Sequence, residues 1–117
     1  MEIEELYVVG LLHDIGYLNN KAGIQHGKAG ADLCRDLGLK EQYCELIENH
    51  GVFSENASAT QKLFWLADMC IDRDGKFEGY EKRYRSICKR FGEHDYRAVE
   101  ADKIMRVLRK EFPEYAG

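Results

Sequence analysis

The residues best suited to metal chemistry in this sequence are its four histidines and the aspartate beside the first of them. His13 and Asp14 stand together in LLHDIGY, residues 11–17, where a polar pair ends an apolar run. Taken alone, such a pair is typical of a surface turn in which the aspartate caps a helix. The other histidines, each at or near the end of a predicted helix, are His26, His50 and His94.

Asp68 adds a second carboxylate in an unusual setting. It lies in KLFWLADMC, residues 62–70, a segment apolar enough to be buried. A buried carboxylate without a partner costs several kcal/mol or becomes neutral through a raised pKa. A salt bridge or a hydrogen bond would offset that cost, and so would a metal ion. Together with Asp14 and the histidines, Asp68 predicts a site of mixed imidazole and carboxylate ligands, which suits Fe, Mn, Zn, Co or Ni.

Length and charge restrict the architecture and the partners. With 117 residues the chain fits one domain, residues 1–117, with one hydrophobic core. The formal net charge of −4 gives no global basic field for nucleic acid. No apolar run reaches the roughly 18 residues that span a membrane, and the N-terminus, MEIEELYVVG, is acidic where a signal peptide is basic. We therefore expect a cytoplasmic protein without a nucleic acid or membrane partner.

The cysteines favour a structural role. No two of them form a C-x-x-C pair, and each lies in an apolar pattern of helical spacing. Buried, reduced thiols are therefore expected rather than disulfides or a zinc site. The four residues are Cys34, Cys44, Cys70 and Cys88.

The elements that must position these side chains are predicted to be helices. Proline occurs once, β-branched runs are scarce, and apolar residues recur at helical spacing. Glycines and a serine mark the expected helix ends: Gly38, Ser58, Gly75 and Gly92. The predicted helices cover residues 2–13, 27–37, 40–49, 58–71, 76–91 and 95–112. The segments 14–26 and 51–57 are the longest irregular ones, and such segments often carry function.

Three motifs in order resemble one family. LLHDIGY resembles the signature of the HD-domain metal-dependent phosphohydrolases. HGKAGADL, from His26, is similar to the H-G-x-x-G-A segment of the bacterial HD-type diadenosine tetraphosphate hydrolases, and residues 48–68 are similar to their stretch from a histidine to an Ala-Asp pair. The resemblance covers about residues 5–75 and implies an all-α HD-domain bundle of five to six helices.

The first histidine of the family pattern is absent from its usual place. The family begins with a histidine on a helix well before the HD pair, whereas only twelve residues precede His13 here. The segment from His94 resembles that opening helix. If Gly117 is joined to Met1, His94 lies thirty-six positions before His13, close to the gap that the resemblance implies. We therefore expect a circularly permuted HD domain, with the first family helix relocated to the C-terminus.

Two alternatives to permutation stay open. His94 could simply cap the last helix, with Glu93 and Asp95 making an acidic N-terminal turn that suits the helix dipole. Alternatively, the last helix of one chain could donate His94 to a neighbouring chain in a swapped dimer. We accordingly expect a monomer or a homodimer.

The resemblance also implies a dinuclear site of divalent cations, with iron favoured. Asp14 would bridge the two metals and act in catalysis together with Lys62, while Lys28 and Arg73 would bind the substrate phosphate. The first metal would be held by His13, Asp14, Asp68 and His94, and the second by His26, His50 and the bridging Asp14.

The implied activity is hydrolysis of a nucleotide phosphoester or phosphoanhydride by a metal-activated hydroxide. Dinucleoside polyphosphates are the most specific substrate that the resemblance suggests. Two other functions fit the same scaffold. One is a di-iron oxygenase with the same six ligands, and the other is a catalytically weak module that senses a nucleotide.

Overall fold

The structure is a computed structural model that describes residue 10 and the ranges 26–71 and 74–117. Within these ranges it contains five α-helices, and their only pairing of extended backbone is an isolated antiparallel bridge between Ile71 and Phe77. The all-α prediction is thereby confirmed. None of the described helices is long and apolar enough to cross a membrane. The helices are α1 (His26–Asp36), α2 (Glu41–Glu48), α3 (Ala59–Cys70), α4 (Tyr80–Phe91) and α5 (Tyr96–Glu111), followed by a 3₁₀ turn, Pro113–Tyr115.

Four predicted helices agree with the structure to within one residue at each end. The helix predicted at 76–91 begins later, at Tyr80. The bridge between Ile71 and Phe77 and the hydrogen bond from Glu78 N to Cys70 O instead hold Phe77 and Glu78 in extended pairing beside the end of α3. The helix predicted at 2–13 lies outside the described residues except for Gly10, which is helical.

The predicted stop and start signals work by the expected chemistry. Gly38 has a φ of +83° and ends α1 in a Schellman motif, in which Leu39 N donates to Cys34 O at 3.0 Å. The Ser58 side chain caps α3 by accepting from Gln61 N at 3.0 Å. Gly92, with a φ of +90°, ends α4.

The contacts divide the chain into two compact units, residues 1–50 and 51–117. In the first unit α1 packs against α2, and the buried side chains include Ala31, Cys34, Cys44 and Ile47. Burial raises the pKa of both of these thiols. The four cysteines are free, and all but the half-buried Cys88 are buried, as expected. The prediction that the whole chain forms one domain stays a prediction.

In the second unit α3, α4 and α5 surround a core of Trp65, Met69, Cys70, Tyr80 and the inner face of α5. Tyr80 is fully buried, and its hydroxyl donates to Phe112 O at 3.1 Å, which satisfies the polar tip of the ring. The inner face of α5 consists of Ala98, Ala101, Ile104, Met105 and Leu108. The apolar pattern of the last predicted helix places Val99 inward together with Ile104 and Leu108. In the structure Val99 instead lies beside this stripe and is 40% exposed.

The first unit contains a backbone contact that leaves no room for a side chain at position 27. A Cβ added to Gly27 would lie 2.7 Å from Glu48 O and 2.9 Å from Ile47 O. Both oxygens belong to the backbone at the end of α2, so a flexible side chain cannot swing away to make space. The beginning of α1 therefore lies directly against the end of α2.

Arg35 joins the same two helices by ion pairs. Its guanidinium donates to Glu41 at the start of α2 (2.7 Å), to Glu48 at the end of α2 (3.0 Å) and to Asp32 one turn back on α1 (2.9 Å). The hydrogen bonds from Arg35 hold the pKa of Glu41 below its usual value, and Lys28 together with Arg35 lowers that of Asp32. Charge and close packing thus both fix α1 on α2.

We predict that Gly27→Ala destabilises the protein. The added methyl group would collide with the terminal carbonyls of α2, and overpacking of this kind costs about 1–3 kcal/mol. Chemical denaturation measures the change in the free energy of unfolding. Gly51→Ala is the matched control because a Cβ there meets nothing within 4 Å, and equal losses in the two variants would contradict the packing explanation.

We also predict that the ion pair between Glu81 on α4 and Arg109 on α5 stabilises the second unit in a pH-dependent way. Arg109 Nη2 donates to Glu81 Oε1 at 2.6 Å, and this bond lowers the pKa of Glu81 below its usual 4.5. A lowered carboxyl pKa gives stability that is present above the unfolded value and lost as the pH falls through the folded value. The difference in free energy of unfolding between wild type and Glu81→Gln should therefore shrink on acidification from pH 7. The same profile in an Arg109→Gln background should show no such shrinkage, and persistence of the effect there would assign it to another group.

Candidate functional site

His50 is the best-defined member of the predicted metal set. It follows α2 by two residues, and only 4% of its surface is exposed. Its Nδ1 lies 2.6 Å from Ile47 O, and its backbone N–H also points to that carbonyl, at 3.4 Å. The ring is thus held by the end of the helix that precedes it.

The Ile47 carbonyl determines the tautomer of His50. A carbonyl oxygen only accepts hydrogen bonds, so Nδ1 carries a proton, and in the neutral ring the lone pair resides on Nε2. Histidines that bind metals almost always donate their second ring N–H in this way, most often to a backbone carbonyl or a carboxylate. The chemistry of His50 therefore fits a metal ligand that binds through Nε2.

The backbone at His26 lies at the same end of the α1–α2 pair. His26 is the first residue of α1, and the next residue, Gly27, touches the carbonyls of Ile47 and Glu48. The H-G dipeptide and His50 are therefore brought together by the packing of two helices in one unit. The side chain of His26 lies outside the described part of the chain.

Asp68 lies near the C-terminal end of α3 and is half-buried. Its neighbours Trp65 and Met69 face the core, whereas Ala67 is exposed. Asp68 thus stands at the boundary of the apolar face of α3 rather than in its middle, and the full desolvation that the apolar sequence suggested does not apply. A half-buried carboxylate can serve as a metal ligand.

The two lysines of the predicted site each form an ion pair with a carboxylate. Lys62 Nζ lies 3.1 Å from Glu111 Oε1 at the end of α5, and Lys28 Nζ lies 2.9 Å from Asp32 Oδ2, one turn away on α1. The Lys28 side chain is 60% exposed, whereas that of Lys62 is 28% exposed. A bound phosphate would compete with these carboxylates for either ammonium group.

His94 lies between α4 and α5, and its side chain is 96% exposed. Its Nε2 lies 3.5 Å from a carboxylate oxygen of Glu93. The N-cap of α5 is Asp95, whose side chain accepts from Arg97 N at 2.9 Å. His94 therefore precedes the cap and does not itself form it.

Within residues 26–71 and 74–117, no three His, Cys, Asp or Glu side chains converge in a group that could hold a metal ion. His13, Asp14 and Arg73 lie outside the described residues, as does the side chain of His26. Three of the six predicted ligand side chains are therefore not described. The six-ligand set stays a prediction.

The sequence patterns did not identify the two backbone features that orient this site. The close approach at Gly27 could have been suspected, since glycine at the second residue of a helix is poor for helix formation. The role of the Ile47 carbonyl has no sequence signal, because every residue carries a carbonyl group.

Comparison with known proteins identifies the family. A family model described as HD domain matches residues 1–91, and the match ends before His94. The uncharacterized protein MJ0778 of Methanocaldococcus jannaschii is 38% identical over 60 residues, which cover 49% of this chain and 35% of the relative. The chain thus spans about a third of the length of that curated relative, and no solved structure matches it significantly. Because the family model covers well over half of its residues, the chain belongs to the HD domain family, whose members are generally metal-dependent phosphohydrolases that bind divalent cations.

Proposed function

We propose that this protein is a metal-dependent phosphohydrolase acting on a phosphoester or phosphoanhydride of a nucleotide, with dinucleoside polyphosphates as the most specific candidates. The observation that carries the proposal is His50. This residue lies in the segment that matches the family, is buried, and donates from Nδ1 to the Ile47 carbonyl. A buried imidazole oriented in this way presents Nε2 as a ligand.

The proposed ligands are the six residues of the sequence pattern. Support for five of them comes from the motif order within residues 1–91. When bound, two divalent cations, with iron favoured by the resemblance, would activate a water nucleophile and offset the charge of the phosphoryl oxygens. The five ligands inside the matched segment are His13, Asp14, His26, His50 and Asp68.

Lys62, Lys28 and Arg73 are the cations proposed to act on the substrate. Lys62 sits on α3, the helix that carries Asp68, and is held by Glu111. Its ammonium group could bind a phosphate oxygen in place of that carboxylate. Lys28 lies two residues after His26 on α1 and could exchange its Asp32 partner in the same way.

Circular permutation is proposed on the strength of residue order alone. His94 is followed two residues later by the 16-residue α5, whose last turn carries Arg109 and Lys110, as the resemblance to the family's opening helix requires. In the competing interpretation His94 only precedes a helix that Asp95 caps, and its exposed side chain suits that role. A swapped dimer is the third arrangement, so both monomer and homodimer are compatible with the proposal.

A second candidate function is a nucleotide-binding module without turnover. Two observations favour it: the side chain of His94 is exposed, and Lys62 is paired with Glu111. Without His94 as a metal ligand and Lys62 as a phosphate-binding cation, the site would bind a nucleotide more readily than it would hydrolyse it. The free, buried thiols support a reducing compartment, and we propose the cytoplasm as the location.

We predict that the purified protein contains a divalent metal and releases phosphate from at least one nucleotide in a panel of mono-, tri- and dinucleoside polyphosphates. His50→Gln should lower the metal content and reduce the rate at least about tenfold, since Nε2 is lost from the site. Elemental analysis and phosphate release measure the two effects, and circular dichroism checks the helical content of the variant. Oxygen consumption with ferrous protein, without phosphate release, would identify the oxygenase alternative. If His13→Ala keeps full metal content and rate, the phosphohydrolase proposal is wrong.

A further prediction separates the roles proposed for His94. If the permuted arrangement is correct, His94→Ala lowers metal content and rate as His50→Gln does. Asp95→Ala is the matched control because it removes the cap of α5, worth about 1 kcal/mol, while keeping the imidazole. Full metal content and rate in His94→Ala would rule out both permutation and the swapped dimer. Light scattering of the wild type distinguishes the latter two.

A further inference from the structure

The second unit carries an open groove on the outer side of α5. It has a volume of about 550 Å³ and is lined by one face of the helix together with two residues of the loop before α3. The helix residues recur at i, i+3, i+4 and i+7, so they share one stripe of α5. Its described lining residues are Phe53, Glu55, Lys103, Arg106, Val107 and Lys110.

Three cations dominate the rim of this groove. Lys103 and Arg106 each pair with a carboxylate on their own helix. Lys103 Nζ lies 3.9 Å from Glu100 Oε1, which is a long distance for an ion pair. Arg106 lies 3.1 Å from Asp102, and its side chain is 73% exposed. Exposed pairs of this kind contribute little and exchange readily. Lys110 is exposed in the last turn of α5. The lining thus holds three positive charges against one carboxylate, in a chain with a net charge of −4.

The floor of the groove is apolar and firmly held. Phe53 is half-buried and stacks on Trp65, with ring centroids 6.3 Å apart and planes inclined by 14°. The Phe53 backbone N–H donates to Glu100 Oε2 at 3.1 Å, which ties the loop to α5. Val107 is half-buried between the cations. The floor therefore offers an apolar surface of fixed position beneath a basic rim.

We propose that this groove binds a small ligand with a chain of several phosphates, the phosphates along the cationic row and any organic part against Phe53 and Val107. Lys103 and Lys110 are seven residues apart, which corresponds to about 10 Å along the helix axis. A tri- or polyphosphate chain can contact all three cations along this row, whereas a single phosphate would require both lysine side chains to bend toward the middle of the row. Because the groove uses protein cations only, binding here needs no divalent metal. None of the lining residues is a proposed metal ligand, and the proposal does not rest on the proposed hydrolase function.

Titration calorimetry with inorganic tripolyphosphate, ATP and adenosine in the presence of EDTA tests this proposal. We expect saturable binding of tripolyphosphate and ATP, and none of adenosine. Trp65 is the one tryptophan in the sequence, and its contact with Phe53 makes its fluorescence a reporter of the groove. ATP should change that fluorescence. Because EDTA removes the metals, failure of the hydrolase proposal would leave this result unchanged, and the reverse also holds.

Variants that remove positive or negative charge from the groove should have opposite effects on binding. Lys103→Gln combined with Lys110→Gln should weaken tripolyphosphate binding about tenfold or more, while Glu55→Gln should strengthen it by removing the one carboxylate of the lining. The matched control is Lys82→Gln with Lys89→Gln, which removes the same charge from the exposed side of α4 and should change binding less than about twofold. The proposal is overturned if neither phosphate ligand binds saturably in EDTA, or if the α4 control weakens binding as much as the groove variant does.

Discussion

The candidate site depends on the backbone carbonyls at the end of α2, which have no partners within the helix and are therefore available to other groups. The last carbonyls of any helix lack partners within the helix. Here Ile47 O accepts from both the ring and the backbone of His50, and Gly27 at the start of α1 lies against Ile47 O and Glu48 O with no space for a methyl group. One helix end therefore orients the imidazole of His50 and lies against the backbone beside His26.

Helix bounds were predictable wherever the signal was local. Gly38, Ser58 and Gly92 act through their own backbone angles or side chains, and the helix ends that they mark were placed to within one residue. The start of α4 was not, because it depends on the pairing of Ile71 with Phe77 across a turn. Val99 shows the same limit on a smaller scale, since the buried stripe of a helix is defined by its neighbours and not by apolar character alone.

The site was predictable in residue type but not in orientation. The order of the motifs selects the histidines and aspartates, and the family match to residues 1–91 supports that selection. What a sequence cannot give is the partner of each side chain. Lys62 was expected to act on the substrate phosphate, but its ammonium group pairs with Glu111, 49 residues away in the sequence. His50 is oriented by a backbone carbonyl, a group that no residue letter reveals.

Carboxylates neutralise some cations of this acidic chain more fully than others, and this difference bears on how the chain binds an anion. Arg35 is surrounded by three carboxylates, so its charge holds α1 to α2 and is already neutralised. Lys28 and Lys62 are likewise paired. A phosphate near any one of these residues would meet a charge that is already paired, so the proposed hydrolysis would rely on bound cations for its positive charge. The groove on α5 differs in degree. Its lining has three cations and one carboxylate, Lys103 and Arg106 pair with Glu100 and Asp102 outside the lining, and among the described residues no ion pair involves Lys110. Attraction of a phosphate chain and the chemistry performed on a phosphate would then be assigned to different sets of residues.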